Sequence, residues 1–313
     1  MNPPKISICV PTFQRVNFLK RLLESIAAQV YTDFEVIVTD DSLGSEVQSL
    51  CEQYDGNFII HYMKNPNALG TPANWNQAIK HARGEWIKLM HDDDWFSSAD
   101  SLKIFVDRIT PQYKFISSGY TRVYDNRSKS PERIALSSSK KKSIEKEPTL
   151  LFANNFIGPP SVTLVHHSID LKYDETLKWR VDIDFYIRAL EREHKLLYIN
   201  QSLINIGMSA SQITQSSIND PAVELPEGWI MLRKHGLQPL RDIRIYDAWW
   251  RLFRNMNIQT QKELMVYVNK EWPTVILKML SDLKKTPRVF LSSGMTSKLC
   301  MTLSFLKNRP LIK

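Results

Sequence analysis

The chain has 313 residues, 43% of them hydrophobic and 24% charged, which excludes disordered and fibrous classes and leaves one large or two ordinary globular domains. The net charge of +8 suits an anionic partner: a nucleotide, a diphosphate-linked substrate or a phospholipid surface. Nucleic acid ranks low because no arginine–aromatic stripe accompanies the charge. Three widely spaced cysteines argue against a disulfide framework or a zinc site, no apolar run reaches the ~20 residues of a membrane-spanning helix, and MNPPKISICVPTF lacks the layout of a signal peptide, so the expected location is the cytoplasm.

In chain order, Lys5–Val10 predicts a strand that ends at Pro11-Thr12. NFLKRLLESIAAQV follows as a helix, with Phe18, Leu22, Leu23, Ile26 and Ala27 at helical spacing. DFEVIVTDDS is a second strand, Glu46–Tyr54 a helix and Phe58–Met63 a third strand. A Pro/Gly loop then enters a helix near Ala73–Ala82, and EWIKLMHDDD is a fourth strand. Strands alternating with helices at this spacing predict an α/β fold with a Rossmann-like, mostly parallel sheet flanked by helices. Beyond it, residues 101–109 read as a helix, KFISSGYTRVYD as a strand and Lys129–Glu147 as a mobile polar loop. TLLFANNFIGPPSVTLVHHS gives a short helix, a turn and a strand. A further helix begins near Val181 and another strand follows it. Past a boundary near 220 the pattern becomes helical over 222–235, 241–257, 260–284 and 294–306. The expected domains are therefore 1–220, in halves 1–110 and 111–220, and a helical C-terminal region 221–313.

Ligands of such sheets bind at the carboxyl ends of the strands. Here those ends carry Thr12, Asp41 and the run Asp92-Asp93-Asp94. The first turn, PTFQR, has no glycine, which counts against a dinucleotide site or a P-loop built from backbone amides. An edge made of carboxylates holds a diphosphate only through a hard divalent cation such as Mg²⁺ or Mn²⁺. Taken alone, the Asp run reads sooner as a solvated helix-capping loop than as a metal motif, and Asp182 and Asp184 sooner as first-turn acids that favour a helix start than as a base.

Four ordered segments, ISICVPTFQR with LLESIAAQ, DFEVIVTDDS, NWNQAIKHARGEWIKLMHDDDW and LKWRVDIDFYIRAL, resemble the family 2 inverting glycosyltransferases of GT-A fold over about 1–215. Within that family the chain is similar to bacterial enzymes that build O-antigen, capsule and lipopolysaccharide glycans. It departs from the pattern at Gln14, where Asn is usual; at His91, where the acidic motif often opens with Asp; and at Val181, where the base motif usually reads Glu-Asp.

The resemblance implies a nucleotide-sugar donor, a UDP-sugar, held by Pro11, Thr12, Phe13, Arg15, Asp40, Asp41, Asn74, Lys88, Asp92 and Asp93, with Asp41 on the base edge and Asp40 on the ribose side. It implies Mn²⁺ or Mg²⁺ on Asp93 and Asp94, with Asp93 the direct ligand. Asp182 becomes the general base, kept ionised by the helix N-terminus, with Asp184 as the alternative. Trp179, Arg180 and Ser161 line the acceptor side, and Asn74 is a base contact, an N-cap or both. The Lys88 ammonium pairs with a carboxylate or reaches solvent, and Ser209, Ser211 and Gln212 stand where relatives carry a flexible polar loop with a metal-proximal His. The acceptor it implies is a glycan, lipid-linked; the C-terminal helices read first as core, with a dimer interface or a peripheral contact on the inner face of the cytoplasmic membrane as the alternatives. The rivals are a sugar-phosphate nucleotidyltransferase, which wants a Gly-rich first loop, and a non-catalytic nucleotide-sugar or glycan-binding subunit.

Overall fold

The computed structural model describes residues 3–125, 129–208 and 219–312. They form two compact units, neither one continuous stretch. The first comprises Met1–Lys146, Phe156–Leu177 and Asp184–Ala210; the second comprises Glu147–Asn155, Lys178–Ile183 and Ser211–Lys313.

The first unit is built on a nine-stranded sheet: β1 Ile6–Thr12, β2 Phe34–Asp40, β3 Ile59–Lys64, β4 Trp86–Leu89, β5 Trp95–Phe96, β6 Phe115–Tyr124, β7 Glu132–Ile134, β8 Thr163–His166 and β9 Leu197–Met208. The order is β3-β2-β1-β4-β8-β6-β9-β5, with β7 on β6. β1, β2, β3 and β4 pair in parallel, as the alternation of strands and helices predicts. From β8 onward the sheet is mixed, with β8 antiparallel to both β4 and β6. Every residue of β1 and β2 is buried, which is why neither strand has a polar solvent face; polar Ser7 and Glu35 inside them bond each other at 2.7 Å. Pro11 is tolerated in a central strand because it lies past Cys9↔Leu89, the last pair with β4.

Helix α1 (Val16–Ala27) buries Leu19, Leu22, Leu23 and Ile26, so Leu19, not Phe18, completes its core stripe, and Ala27 is exposed. Each of these four contributes about 1.5–3 kcal/mol of apolar burial, and the helix needs it, since Arg15 at its N-cap makes no side-chain capping bond. Helices α2 (Glu46–Glu52), α3 (Ala73–Lys80) and α4 (Ser101–Asp107) follow β2, β3 and β5.

The stretch expected as a mobile loop is ordered differently. It contains β7 and a helix α5 (Ser138–Lys146), anchored by buried Leu136 and Ile144 and by the Tyr198 hydroxyl accepting the Leu136 N–H at 2.8 Å. Helix α6 runs Val181–Glu193; its first three residues group with the second unit.

In the second unit, helices Pro221–His235 and Ile243–Asn255 occupy two of the predicted segments. The predicted helix over 260–284 is two, Gln261–Tyr267 and Thr274–Lys285, because Pro273 cannot continue a helix and instead starts the second one. Trp249, Trp250, Phe253 and Trp272 are buried, and Trp249 stacks on Phe152 with centroids 4.9 Å apart, so these aromatics are core. Two further helices, Arg288–Ser292 and Gly294–Asn308, follow. Among the described residues no helix is long and apolar enough to cross a membrane.

Candidate active site

Because β1, β2 and β4 are parallel, their carboxyl ends share one edge of the first unit's sheet, Thr12 lying beside Asp40 in register. Buried Pro11 and Thr12 close β1. Phe13 is half exposed, and Gln14 turns the chain with φ of 57°, a left-handed conformation in which Asn is far commoner than Gln. The Ser42 hydroxyl accepts the Gln14 N–H at 2.7 Å and holds that turn.

The two aspartates at the end of β2, Asp40 its last residue and Asp41 the next, do structural work at this edge. Asp40 is fully buried; it accepts from the Tyr62 hydroxyl at 2.8 Å, the Lys64 ammonium at 3.1 Å and the Ser42 amide at 2.8 Å, so it does not face an open ribose side. Asp41 accepts from Asn65 at 2.7 Å and from the backbone of Leu69 and Gly70 at 3.0 and 2.8 Å, pinning the loop before α3. Asn74 is not the N-cap of α3, which is Pro72. It is buried and donates to the carbonyls of Thr39 and Thr12 while accepting from Asn65, clamping β1 to β2.

At the end of β4 the three aspartates have three different surroundings, all buried. Asp92 accepts from the Thr12 hydroxyl at 2.9 Å and lies 3.6 Å from the Arg15 guanidinium. Burial, and then the charge of Asp93, still push its carboxyl up to about 7. Asp93 pairs with Arg15 at 3.0 Å, and its carbonyl accepts from Arg21 at 2.7 Å. Asp94 accepts the Gly207 amide at 3.3 Å and bonds the Ser161 side chain; burial and Asp93 raise it well above the carboxylate range. A Cβ on Gly207 would sit 2.4 Å from the Asp93 carbonyl oxygen, so only glycine lets β9 come this close to the motif.

His91 joins this group. One ligand atom each from His91, Asp93 and Asp94 falls within 4.8 Å of the others. The His91 Nε2 is buried without a hydrogen-bond partner among the described residues, its ring packs 4.7 Å from Trp75, and burial lowers its pKa. Two acids and an imidazole with an unused buried nitrogen fit a divalent cation, which would relieve the carboxylate repulsion. The nitrogen donor suits Mn²⁺ better than Mg²⁺.

Two residues placed at the site by sequence lie beneath it. The Lys88 ammonium, fully buried in β4, does not reach solvent and forms no ion pair among the described residues: it donates to the Ser161 carbonyl, 5.0 Å from the Phe105 ring centre. Burial lowers its pKa to about 7 despite the charge of Asp94. Ser161 is also fully buried, so it lines no open acceptor side; its hydroxyl accepts the His91 amide at 3.0 Å. Together they form a strut under the acidic motif.

In the second unit, Glu227 accepts the backbone amides of Lys178, Trp179 and Arg180 at 2.6, 3.0 and 2.7 Å. Arg180 is buried, pairs with Glu224 at 2.9 Å and lies 4.3 Å over Phe152, so its guanidinium serves the packing of this unit rather than an acceptor. Trp179 is half-buried. Asp182 follows, accepting from Asn155 at 2.7 Å and from the Ile183 amide at 2.8 Å. Against the expectation of a helix terminus keeping it readily ionised, burial outweighs these bonds and the Arg180 charge and lifts its carboxyl to about 7. Asp184, in the first unit, is fully buried and tied to Arg188 at 2.8 Å.

Glu227→Ala would strand the buried Arg180 amide and release two partly exposed ones, and an unmet buried group costs about 1–3 kcal/mol. The expected result is a loss of about 1–3 kcal/mol of stability, read from urea unfolding, because water can reach the amides of exposed Lys178 and half-buried Trp179 but not that of Arg180.

Sequence reasoning missed Arg21, which spans the Trp95 ring at 3.6 Å and the Asp93 carbonyl, and Glu224 and Glu227, which lie in a helix with no motif. His91 carried a visible signal, a donor-bearing residue at the first acidic position. Ser209, Ser211 and Gln212 lie outside the described residues.

The fold has solved counterparts. S. aureus TarS 1-349 in complex with UDP-GlcNAc is similar with a TM-score of 0.58 at 17% identity, covering 98% of this chain and 89% of that one. The mannosyltransferase PcManGT from Pyrobaculum calidifontis, in complex with GDP-Man and Mn²⁺, matches with a TM-score of 0.58 at 12% identity, covering 98% and 88%. The fold is therefore the GT-A fold. Residues 7–173 match the family described as Glycosyl transferase family 2, and the chain belongs to it. Among relatives, a GalNAc(5)-diNAcBac-PP-undecaprenol beta-1,3-glucosyltransferase of Campylobacter jejuni subsp. jejuni serotype O:2 is 28% identical over 125 residues, 39% of this chain and 38% of its own length. An uncharacterised glycosyltransferase of Rickettsia typhi is 25% identical over 222 residues, 69% of this chain and 68% of its own.

Proposed function

We propose that the protein is an inverting transferase that moves a sugar from a UDP-sugar to a lipid-linked glycan in bacterial surface polysaccharide synthesis, at the inner face of the cytoplasmic membrane. The observation that carries the reading is the convergence of His91, Asp93 and Asp94 at the carboxyl end of β4, within the stretch matched by the family. The donor assignment is supported by the UDP-GlcNAc complex of the S. aureus neighbour, and the lipid-linked acceptor by the name of the Campylobacter relative.

His91, Asp93 and Asp94 would hold a divalent cation, Mn²⁺ for preference. When bound, it supplies Lewis-acid neutralisation of the donor diphosphate. Thr12, Phe13 and Arg15 bind the nucleotide from the first loop, and the Arg15 guanidinium, beside Asp92 and Asp93, adds positive charge toward the phosphates. Asp182 takes the proton of the acceptor hydroxyl as its oxygen bonds to C1, and the nucleoside diphosphate leaves from the opposite face with the bonding pair. One proton goes to the carboxylate, one C–O bond forms and one breaks.

The test is turnover of a nucleotide-sugar panel with undecaprenyl-diphosphate-linked saccharide acceptors. The expected product carries the anomeric configuration opposite to the donor's; retention of configuration would refute the assignment of Asp182.

A further inference from the structure

The second unit carries a surface that the transfer reaction does not use. In the helix Gly294–Asn308, one face holds buried Ser297, Met301, Ser304, Phe305 and Asn308. On the opposite face Met295, Leu299, Leu303 and Leu306 are each 60% exposed or more. Their steps of four, four and three residues align them in one apolar stripe. Val289 and Phe290, on the preceding short helix, are exposed as well.

Charge says what covers this stripe. Residues 284–312 contain six Lys or Arg and no Asp or Glu: Lys284, Lys285, Arg288, Lys298, Lys307 and Arg309. At 100° per residue, Lys298 and Lys307 flank the stripe on its two sides, where their stems run along apolar surface and their heads reach outward. Lys307 also meets Asp282 at 2.7 Å; Lys298 and Arg288 form no ion pair among the described residues. Beside the stripe lies an open cavity of about 560 Å³ whose lining includes Arg254, Arg288, Asn255, Asn257 and Gln259, groups able to donate to an anion, alongside apolar Leu291. A second copy of the chain would bring like charges together around an apolar seam, whereas an anionic lipid surface matches the stripe and the charge at once.

We propose that the helices Arg288–Ser292 and Gly294–Asn308 dock the protein on an anionic phospholipid surface. The stripe enters the acyl boundary, and the cavity between Arg254 and Arg288 receives a headgroup phosphate. This inference stands on the second unit alone and does not depend on the transferase reading.

The experiment is flotation of the full chain with phosphatidylcholine vesicles, with and without phosphatidylglycerol. The protein is expected to float only with phosphatidylglycerol and to be released by salt. Leu299→Ser with Leu303→Ser should weaken partition about a hundredfold, roughly tenfold per leucine removed from lipid. Nucleotide-sugar binding should be unchanged in that variant. A fluorescent label on Met295→Cys, in a Cys300→Ser background, reports insertion without removing the leucines and should shift to the blue on phosphatidylglycerol vesicles. Failure to float, flotation indifferent to phosphatidylglycerol, or an unshifted label overturns the proposal. So does a dimer that ignores vesicles and is abolished by the leucine substitutions, which would assign the stripe to a second copy.

Discussion

Asp182→Asn is expected to lower kcat by about two to four orders of magnitude, the usual contribution of a positioned general base. It should leave donor binding intact, because the donor-side residues lie elsewhere in the sequence. In wild-type protein kcat/KM should rise with pH and level off above an apparent pKa near 7, since the base works only when ionised and burial has lifted it there. The variant should lack that limb. Stability provides a second readout with a fixed sign. The folded state holds the Asp182 proton up to about pH 7 while the unfolded chain releases it near 4, so wild-type stability falls across that window. The melting temperature of Asp182→Asn should therefore gain on wild type between pH 4 and pH 8. Equal rates in the two proteins, with the same pH limb, would mean that another group takes the proton.

Asp93→Ala should abolish metal-dependent donor binding and reduce transfer by about a thousandfold, as expected where several kcal/mol of charge neutralisation is lost. The same substitution removes the charge that helps raise both Asp92 and Asp94, while Arg15 keeps Asp92 as a neighbour at 3.6 Å. The metal-free variant should thus melt no lower than wild type. Mn²⁺ with UDP should raise the melting temperature of wild type by several degrees and leave the variant unmoved. A variant that still responds to Mn²⁺ would place the cation elsewhere.

The first hundred residues were legible because their physics is local. β1, β2 and β4 are rich in apolar residues and closed by polar ones, and α1 shows helical spacing, so the parallel sheet and its shared carboxyl edge were readable, while the strand order was not. The second half resisted because distant partners order it. Helix α5 has a single buried side chain, Ile144, and its polar composition looks like a loop until Leu196 donates its amide to Glu145 from across the sheet.

The site divides in the same way. The position of a carboxylate at a strand end is visible in sequence, but its employment is not. Asp40 is claimed by Tyr62 and Lys64, Lys88 by the Ser161 carbonyl and Arg180 by Glu224, and none of these pairings leaves a trace in spacing. Asp182 shows the limit most sharply. The helix-terminus rule gives the direction of one influence on its pKa, and burial, which only the folded chain reveals, reverses the outcome.

The most direct test of the central claim needs no acceptor. Titrating nucleotide-sugars into the protein by calorimetry, with Mn²⁺ and then with excess EDTA, asks whether the acidic edge is a donor site. The account predicts that one nucleotide-sugar binds with Mn²⁺, and that binding vanishes with EDTA and in Asp93→Ala. Binding indifferent to metal, or no binding by any nucleotide-sugar, would contradict it.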